Sequence, residues 1–474
     1  MSFSHLPQAY RYMHTTYFDF IKPNELRADH PIGDEFLAFA KNTSRDALFA
    51  HQDRLFRKML LRAWKIPFYR KLWGATGIQP GDIDGLKDIQ KLPIFDKSDI
   101  MASIDRCPPF GDFAGLETYS PEGQPPIKFH TTSGTTGKPQ VLIFGPKSRE
   151  VQNLLLGRLY TLQGIGRGDI IHSVYGHGPI NGGHYVREAV THWTQAIFVS
   201  AGTGVETRSV KQVQMMTDFG TTAIVGFADY IKKLAKVARE AGLEPGVDIP
   251  VRTISGHMGR EDKDSISKMW GGAKCYDWYG VGDTGAIAGE GPDQDGLYVM
   301  EDAQYLEICD IETDEIVTEG KSGNMVCTCL FKDDVYPIIR FNTHDVSAVR
   351  PGKSSLGLNY QRIEGFLGRS DNMVKLRGIN IFPQAIGPIM EEIDSFAGEF
   401  YCQVVRDDQG RDEMTVVAEC KSGETSRLTP KFEALLKEKL GLGMSVKLVP
   451  IGTTGDITQV DIRQKPIRLL DTRF

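Results

Sequence analysis

Short β-rich runs alternate with helical stretches between about residues 140 and 280, and this alternation constrains the fold more than any other feature of the sequence. Strands that alternate with helices form parallel sheets covered by helices. The pattern therefore predicts a layered α/β body, with one helix at residues 229–241. The predicted strands are Val141–Phe144, Ile170–Val174, Ala196–Ser200, Thr222–Val225, Val251–Ser255 and Lys274–Trp278.

The segments on either side of this body have different patterns. Before it, apolar residues recur at three- and four-residue spacing from Leu48 to Leu60, which predicts a helix that Pro67 ends. After it, strands follow one another without helices and indicate a β-rich subdomain. These strands are Leu297–Met300, Gln304–Cys309 and Asn324–Phe331.

A polar, glycine-punctuated connection at residues 363–372 separates this body from a final segment with its own strand and helix patterns, including a helix at residues 431–439. We therefore expect two domains. Residues 1–368 form a large N-terminal α/β body with a β-rich subdomain, and residues 369–474 form a small, mobile α+β domain.

Charge and hydropathy exclude several classes of partner. The chain has 55 Lys and Arg against 61 Asp and Glu, a net charge of −6, so it lacks the basic excess that binds nucleic acid. No apolar run reaches the ~18 to 20 residues that cross a bilayer, and the N-terminus lacks a basic segment followed by an apolar core. We expect a cytoplasmic protein without nucleic-acid or membrane partners.

The seven cysteines include no CxxC pair. Cys327 and Cys329 alternate within an apolar run, where a strand points both side chains to one face. We expect buried, reduced thiols there rather than metal ligands.

The segment Thr131–Pro139, TTSGTTGKP, has the composition of a phosphate cradle. Small hydroxyl residues interrupted by glycines let backbone N–H groups and side-chain hydroxyls converge on an anion, and Lys138 adds positive charge. The segment is not a Walker A loop, because Thr132 stands where GxxxxGK(S/T) requires its first Gly and Pro139 follows the lysine.

A second glycine cluster, Gly280–Gly285, matches GxGxxG after a predicted strand. A dinucleotide-binding loop must open a helix, but Gly289, Gly291 and Pro292 follow within a few residues. A nicotinamide-dependent oxidoreductase is therefore disfavoured.

Together these motifs resemble the adenylate-forming (ANL) superfamily, in its phenylacetate-CoA ligase branch. The similarity extends from about residue 55 to the C-terminus, with the motifs in the order of the family. The segments that carry it are IPFYR at 66–70, KLP at 91–93, TTSGTTGKP at 131–139, YGVGD at 279–283, PIIRFNTHD at 337–345 and GRSDNMVKLRGINIFP at 368–383.

The resemblance implies that a carboxylic acid and ATP form an acyl adenylate, which CoA then converts to a thioester. Expected cofactors are ATP, Mg²⁺ and coenzyme A, and related ligases are often homodimers. Loading of a carrier protein is the nearest alternative. A non-catalytic acyl- or nucleotide-binding protein is disfavoured, because Lys138, Asp345 and Lys465 are all present.

The resemblance also assigns the nucleotide site. Asp345 accepts the ribose hydroxyls, and Arg369 belongs to the same site. Asp283 stands where the family usually has a magnesium-binding Glu, one methylene longer. The β- and γ-phosphates are held by Ser133, Gly134, Thr135, Thr136, Gly137 and Lys138, and adenine and the α-phosphate are bordered by Gly256 and Tyr279. The nucleotide site also includes Thr132 and Gly280.

In the C-terminal segment, alignment of Arg468 and Asp471 with the family tail places Lys465 on the adenylation lysine. Asp371 matches the hinge about which the small domain rotates between the half-reactions, and Arg369 is expected to cap or salt-bridge across it. After the rotation, residues of the 375–378 segment lie beside the pantetheine tunnel. They are Lys375, Arg377 and Gly378.

The acyl pocket departs most from the family pattern. Ile180 replaces a pocket Phe, Trp278 replaces a smaller aliphatic residue, and His257 lies in GHM where the family has GAE. Indole bulk shortens the cavity and an imidazole offers a hydrogen bond, although His257 is also compatible with a core histidine. We expect a small, branched, polar acid such as 2-hydroxyisobutyrate, with an aromatic acid as the alternative. The other predicted pocket residues are Tyr175, His177 and Gly183.

Overall fold

The computed structural model describes residues 16–132, 139–259, 261–376, 379–406, 412–423, 425–460 and 466–473, and only the backbone of residues 375, 379 and 380. The described chain divides into two compact units. The first lies within Met1–Met258, Lys263–Thr343 and Ala348–Gly365, and the second within Gly259–Asp262, His344–Ser347 and Phe366–Phe474. The domain boundary after residue 368 stays a prediction.

Elements are numbered along the chain. The strands are β1 (Lys128–Thr131), β2 (Val141–Phe144), β3 (Ile170–Ser173), β4 (Ile197–Ser200), β5 (Ala223–Phe227), β6 (Thr253–His257), β7 (Lys274–Val281), β8 (Gly285–Glu290), β9 (Leu297–Val299), β10 (Gln304–Cys309), β11 (Ser322–Cys329), β12 (Phe341–Ala348), β13 (Arg362–Ile363), β14 (Gly368–Arg369), β15 (Val374–Leu376), β16 (Ile379–Ile381), β17 (Phe396–Arg406), β18 (Asp412–Cys420), β19 (Ser445–Val449) and β20 (Leu469–Asp471).

The α-helices are α1 (Pro23–Asp29), α2 (Gly33–Asn42), α3 (Arg45–Ala63), α4 (Pro67–Gly74), α5 (Lys97–Arg106), α6 (Pro146–Leu162), α7 (Asn181–Trp193), α8 (Ser209–Phe219), α9 (Ala228–Glu240), α10 (Lys263–Met269), α11 (Ile386–Met390), α12 (Thr425–Leu440) and α13 (Gly455–Thr458). Short 3₁₀ helices cover Tyr17–Phe20, Leu86–Lys91, Leu116–Thr118, Ser370–Asn372 and Pro383–Ala385. No helix in the described ranges is both long and apolar enough to cross a membrane.

The largest sheet of the first unit has the strand order β13-β9-β8-β7-β6-β5-β3-β4. Strands β3 to β7 are parallel to their neighbours, while β7, β8, β9 and β13 continue the sheet antiparallel. The parallel part confirms the layered α/β prediction. The predicted strand Val141–Phe144 lies outside it, because β2 pairs antiparallel with β1 in a separate two-stranded sheet. Because parallel strands end at one edge, the residues at the carboxyl ends of β3, β5, β6 and β7 come together there.

Helix α3 shows how the apolar spacing builds the first unit. Ser44 caps its N-terminus by accepting the Ala47 N–H, and the predicted apolar stripe is buried except for Phe49. The helix ends at Ala63, so the prediction that Pro67 ends it was wrong. Pro67 instead begins α4, where proline is favoured because its missing N–H would have no partner in the first turn.

The predicted β-rich region is present as β9, β10 and β11, and β10 has the predicted bounds. Strands β10 and β11 pair antiparallel. Cys327 and Cys329 are fully buried free thiols on β11, as expected. Across the described part of the chain, no three His, Cys, Asp or Glu side chains form a group that could hold a metal ion.

The second unit is built on the sheet β19-β18-β17-β20. Strands β17 and β18 are antiparallel, and β19 and β20 add to its two sides in parallel. Helix α12, which contains the predicted 431–439 helix, packs Phe432 and Leu436 into the core against residues such as Val374, Ile386 and Phe400.

Candidate active site

The carboxyl edge of the parallel sheet gathers the predicted acyl-pocket residues of the first unit. Gly226 on β5 and Gly256 on β6 are register partners, and a Cβ at Gly256 would lie 1.8 Å from the Gly226 carbonyl oxygen. Only glycine therefore fits at position 256. The close approach brings the last residues of β5 and β6, Phe227 and His257, side by side.

Tyr175, two residues beyond β3, closes this edge. Its buried hydroxyl donates to the Gly226 carbonyl at 3.3 Å. Burial raises the pKa of Tyr175 well above its ordinary value and Asp277 raises it further, while the His257 backbone N–H and the Trp278 indole partly offset this rise. The hydroxyl therefore stays protonated and serves as a fixed hydrogen-bonding group in the wall.

Aromatic rings line the same edge. The half-buried His257 ring stacks on Phe227 with centroids 5.3 Å apart and lies 4.2 Å from Trp278. Tyr175 meets Phe227 edge-on at 5.1 Å. The buried Trp278 also contacts Tyr185 of α7, with centroids 6.3 Å apart. The structure thus brings Tyr175, His257 and Trp278 into one cluster.

The orientation of His257 defines its chemistry. Nδ1 lies 3.1 Å from the Trp278 carbonyl oxygen, which can only accept, so Nδ1 carries a proton. In the neutral ring Nε2 is then a hydrogen-bond acceptor. The strand ends therefore hold an imidazole with a defined tautomer within a wall of aromatic carbon.

The loop after β3 carries the remaining predicted pocket residues. His177 Nε2 lies 2.7 Å from the Ser200 hydroxyl, and its backbone N–H donates to Glu206. Ile180 immediately precedes α7. Gly183 allows α7 to approach this loop, because a Cβ there would lie 2.3 Å from the carbonyl oxygen of Gly176.

The two ends of the predicted phosphate loop are joined at Thr132 and Gln140. The Thr132 N–H donates to the Gln140 carbonyl at 3.0 Å, and the Gln140 N–H donates to the Thr132 hydroxyl at 3.2 Å. Six predicted phosphate-binding residues lie outside the described residues. They are Ser133, Gly134, Thr135, Thr136, Gly137 and Lys138.

Tyr279 and Gly280 belong to the β7–β8 hairpin. The Tyr279 hydroxyl donates to Thr343 at 3.1 Å. Gly280 is required by the hairpin, since a Cβ there would lie 2.2 Å from the Gly285 carbonyl oxygen. The GxGxxG segment therefore forms a turn between antiparallel strands and does not open a helix.

Asp283, the predicted magnesium ligand, is buried and engaged by protein donors. Its Oδ1 accepts from Gln140 Nε2 at 2.6 Å and from the Tyr336 hydroxyl at 2.7 Å. Burial raises the pKa of Asp283, while the hydrogen bonds from Tyr336 and Gln140 and the nearby Lys332 partly offset this rise. These surroundings do not fit a magnesium ion held by the protein.

In the second unit, Asp345 on β12 lies opposite Arg369 on β14 in the antiparallel ladder. Arg369 donates to Asp345 at 2.8 Å and to both carboxylate oxygens of Asp371. Arg369 therefore forms ion pairs with both Asp345 and Asp371, while its role at a hinge stays a prediction. Asp371 itself is exposed and lies in the 3₁₀ helix Ser370–Asn372.

The remaining predicted residues of the second unit are only partly described. Arg377, Gly378 and Lys465 lie outside the described residues, and only the backbone of Lys375 is described, on β15. Arg468, three residues after Lys465, donates to Glu399 and to the Phe400 carbonyl, each at 2.7 Å. The chain beyond Lys465 is thus anchored to β17.

Three residues that sequence reasoning missed belong to this arrangement: Phe227, Gln140 and Tyr336. Phe227 had a signal, because it follows the predicted strand 222–225 at the carboxyl edge of the sheet. Gln140 immediately follows the TTSGTTGKP motif, but nothing in the sequence indicates its bond to Asp283. Tyr336 is brought to Asp283 only by the tertiary fold.

Known proteins resemble this chain over most of its length. Residues 378–473 match the family described as AMP-binding enzyme C-terminal domain. The phenylacetate-coenzyme A ligase of Pseudomonas putida is 29% identical over 434 residues, covering 87% of this chain and 92% of that protein. The corresponding ligase of Aromatoleum evansii is 28% identical over 422 residues, covering 86% and 91%.

The fold also matches a solved structure. The crystal structure of 2-hydroxyisobutyryl-CoA ligase in the postadenylation state, in complex with 2-HIB-AMP, has a TM-score of 0.77 at 23% identity. The match covers 94% of this chain and 92% of that chain. The predicted α/β body with a C-terminal domain is confirmed by this likeness.

Proposed function

The chain belongs to the adenylate-forming (ANL) superfamily, in its phenylacetate-CoA ligase-like branch, and is an AMP-forming acyl-CoA ligase; from this premise we propose that its substrate is a small hydroxylated acid such as 2-hydroxyisobutyrate. An aromatic acid of the phenylacetate type is the alternative, because the curated relatives are phenylacetate ligases. The choice between them depends on the acyl pocket.

The observation that carries this proposal is the fixed tautomer of His257. With Nδ1 donating to the Trp278 carbonyl, Nε2 of the neutral ring accepts a hydrogen bond. A hydroxyl on the acyl group supplies the matching donor, whereas an aryl ring has none. A hydrogen-bonding imidazole in a largely aromatic wall favours a ligand that can bond to it, because a site that hydrogen-bonds a substrate hydroxyl rejects the analogue that lacks it.

Trp278 supports the small size of the proposed acid. Its indole is buried between His257 and Tyr185, where the family pattern has a smaller aliphatic residue. The ring therefore occupies volume that an extended aryl acid needs. A branched C4 acid requires less depth and places its hydroxyl near the carboxylate.

The nucleotide chemistry of the proposal uses the residues that the family pattern assigns. The segment 132–138 holds the β- and γ-phosphates of MgATP, which brings its own metal ion, and Asp345 accepts the ribose hydroxyls. A carboxylate oxygen attacks the α-phosphorus, and pyrophosphate leaves with Lys465 stabilising the developing charge.

The second half-reaction transfers the acyl group to CoA. The thiolate attacks the acyl carbon of the adenylate, the C–O bond to phosphate breaks, and AMP leaves. Rotation of the small domain about Asp371 withdraws Lys465 and brings Lys375, Arg377 and Gly378 to the pantetheine arm.

The deciding experiment compares kcat/KM for 2-hydroxyisobutyrate, isobutyrate, benzoate and phenylacetate, with pyrophosphate and CoA thioester measured in parallel. We expect 2-hydroxyisobutyrate to be preferred over isobutyrate by up to ~10⁴-fold, the range for sites that bond a substrate hydroxyl. Preference for phenylacetate would refute the small-acid pocket and leave the ligase assignment intact. Pyrophosphate release without thioester formation on free CoA would favour a carrier protein as acceptor.

A further inference from the structure

A buried hydrogen-bond network, centred on the Asp283 carboxylate, links three segments of the first unit. Asp283 follows β7, Gln140 precedes β2, and Tyr336 lies between β11 and β12. Gln140 is 1% exposed and Tyr336 is 1% exposed, and both donate to the same carboxylate oxygen. A charged acceptor makes such hydrogen bonds stronger than neutral ones.

Gln140 transmits this connection to the phosphate segment. Its backbone N–H and C=O pair with Thr132, so Gln140 closes the two ends of the segment that binds phosphate in the proposed function. Leu142 on β2 adds a steric contact, because a Cβ at Gly282 would lie 2.6 Å from its side chain. The stem of the segment is thus held against the 282–283 turn.

The other side of Asp283 is equally constrained. The fully buried Lys332 donates to the Asp283 carbonyl at 3.2 Å and lies 4.4 Å from the centre of the Tyr336 ring. Tyr336 has a φ of +52°, a left-handed conformation that a residue with a side chain rarely adopts. Backbone strain of this kind persists where surrounding contacts impose it, and it is concentrated at functional sites.

We propose that Asp283 is a positioning residue that holds the stem of the phosphate segment through Gln140 and Tyr336, and that it does not coordinate magnesium. Its contacted oxygen already accepts two protein hydrogen bonds, and a Mg²⁺ ion that enters with ATP can use phosphate oxygens and water for its octahedral shell. The proposal rests on the ATP-dependent adenylation of the proposed function.

The first test separates a hydrogen-bond acceptor from a metal ligand. Asp283→Asn keeps a carbonyl oxygen for Gln140 and Tyr336 but removes the carboxylate. We expect the Mg²⁺ concentration for half-maximal pyrophosphate release to change less than about 2-fold, and Mn²⁺ binding without nucleotide, followed by electron paramagnetic resonance, to match wild type. Loss of a metal contact would instead raise the Mg²⁺ requirement by ~10-fold or more, and that result would overturn the proposal.

The second test measures positioning. Gln140→Leu removes the 2.6 Å bond, and Gln52→Leu is the matched control, because Gln52 is also buried and donates a single bond to the Glu301 carbonyl. We expect KM for ATP to rise about 10-fold in Gln140→Leu, the effect of losing one bond to a charged group, with Mg²⁺ dependence unchanged. Equal KM values in the two variants would contradict the positioning role.

A third test uses two tyrosine variants to separate an effect on ATP binding from general destabilisation of the fold. Tyr336→Phe and Tyr360→Phe each remove one hydroxyl that donates to a buried aspartate, Asp283 and Asp302, at 2.7 and 3.0 Å. We expect the two variants to have equal urea unfolding midpoints, and only Tyr336→Phe to raise KM for ATP. Equal KM values for ATP in the two variants would refute the proposal. All assays use the acid with the highest wild-type turnover, so the test remains valid even if the proposed acid is not the substrate. If the wild-type protein releases no pyrophosphate with any acid, adenylation itself is refuted.

Discussion

Arg369 and Asp345 are direct partners in the β12–β14 ladder, and Nη1 of Arg369 donates to the Asp345 carboxylate at 2.8 Å. The same guanidinium donates from Nε and Nη2 to the two carboxylate oxygens of Asp371. One arginine therefore joins the predicted ribose acceptor to the predicted hinge residue. A rotation at the predicted hinge would have to break or carry this ion pair.

Asp371→Pro is expected to block thioester formation while acyl-adenylate formation survives. Proline fixes φ and therefore resists the backbone rotation of the proposed hinge. The two half-reactions are measured separately, by pyrophosphate release without CoA and by conversion of supplied acyl adenylate with CoA. Asp371→Ala is the control, since it also removes the ion pair with Arg369 but leaves the backbone free. Equal loss of transfer in both variants would show that the ion pair, and not rotation, matters.

Lys465→Ala is expected to have the opposite effect. In the role proposed for Lys465, the charge that it stabilises develops only during attack on the α-phosphorus, and loss of one such preorganised donor costs ~10²- to 10³-fold in rate. Adenylation should fall by that factor, and thioester formation from supplied acyl adenylate should not change. Lys447→Ala, at an exposed position on β19, serves as the control. A parallel loss of both half-reactions in Lys465→Ala would refute the tail alignment.

Local pattern was sufficient to predict many of the strands. The run 141–144 became β2 with the predicted bounds, although β2 pairs antiparallel with β1 outside the parallel sheet, and 170–174 differs from β3 by one residue. Alternation of strands and helices also implied a common carboxyl edge, so the grouping of Tyr175 with His257 and Trp278 follows from topology.

Other features depend on contacts between residues distant in sequence. The position of Pro67 after an apolar stripe is equally compatible with the end of one helix and the start of the next, and the structure has the second. The ladder partners Asp345 and Arg369 are set by the register of β12 and β14, which no local periodicity encodes. Likewise the motif predicts Asp283 as a metal ligand, whereas its bonds to Gln140 and Tyr336 arise only in the folded chain.

Glu188→Gln is expected to lower the free energy of unfolding and to make it depend less on pH in the acidic range. Burial raises the pKa of Glu188, but the fully buried Arg149 and the partly exposed Lys128 outweigh this effect and lower the pKa to about 2. Because this folded-state pKa lies below the ordinary 4.5, the carboxylate stabilises the fold above about pH 4.5 and this contribution disappears as the pH falls toward 2.

Urea unfolding between about pH 6 and pH 3 measures both effects. At the upper end, leaving Arg149 buried without its counter-charge should cost ~3 to 5 kcal/mol. The control is Glu364→Gln, whose ion pair with Arg350 is about one third exposed on both sides and should contribute no more than ~1 kcal/mol. If Glu188→Gln loses as much stability on acidification as the wild-type protein, a group other than Glu188 is responsible for the loss of stability at acidic pH.

Two substitutions at the carboxyl edge of the sheet are expected to change acid selectivity in different ways. His257→Ala removes the proposed acceptor, so the preference for 2-hydroxyisobutyrate over isobutyrate should fall at least about 10-fold, the value of one hydrogen bond to a buried group. Trp278→Ala removes the buried indole, so kcat/KM for phenylacetate should rise while the hydroxy-acid preference persists. Phe227→Leu is the control, because it loses the ring stacked on His257 without removing either the acceptor or the indole. If the His257→Ala variant keeps the wild-type preference for 2-hydroxyisobutyrate over isobutyrate, a group other than His257 recognises the hydroxyl, because alanine supplies no acceptor.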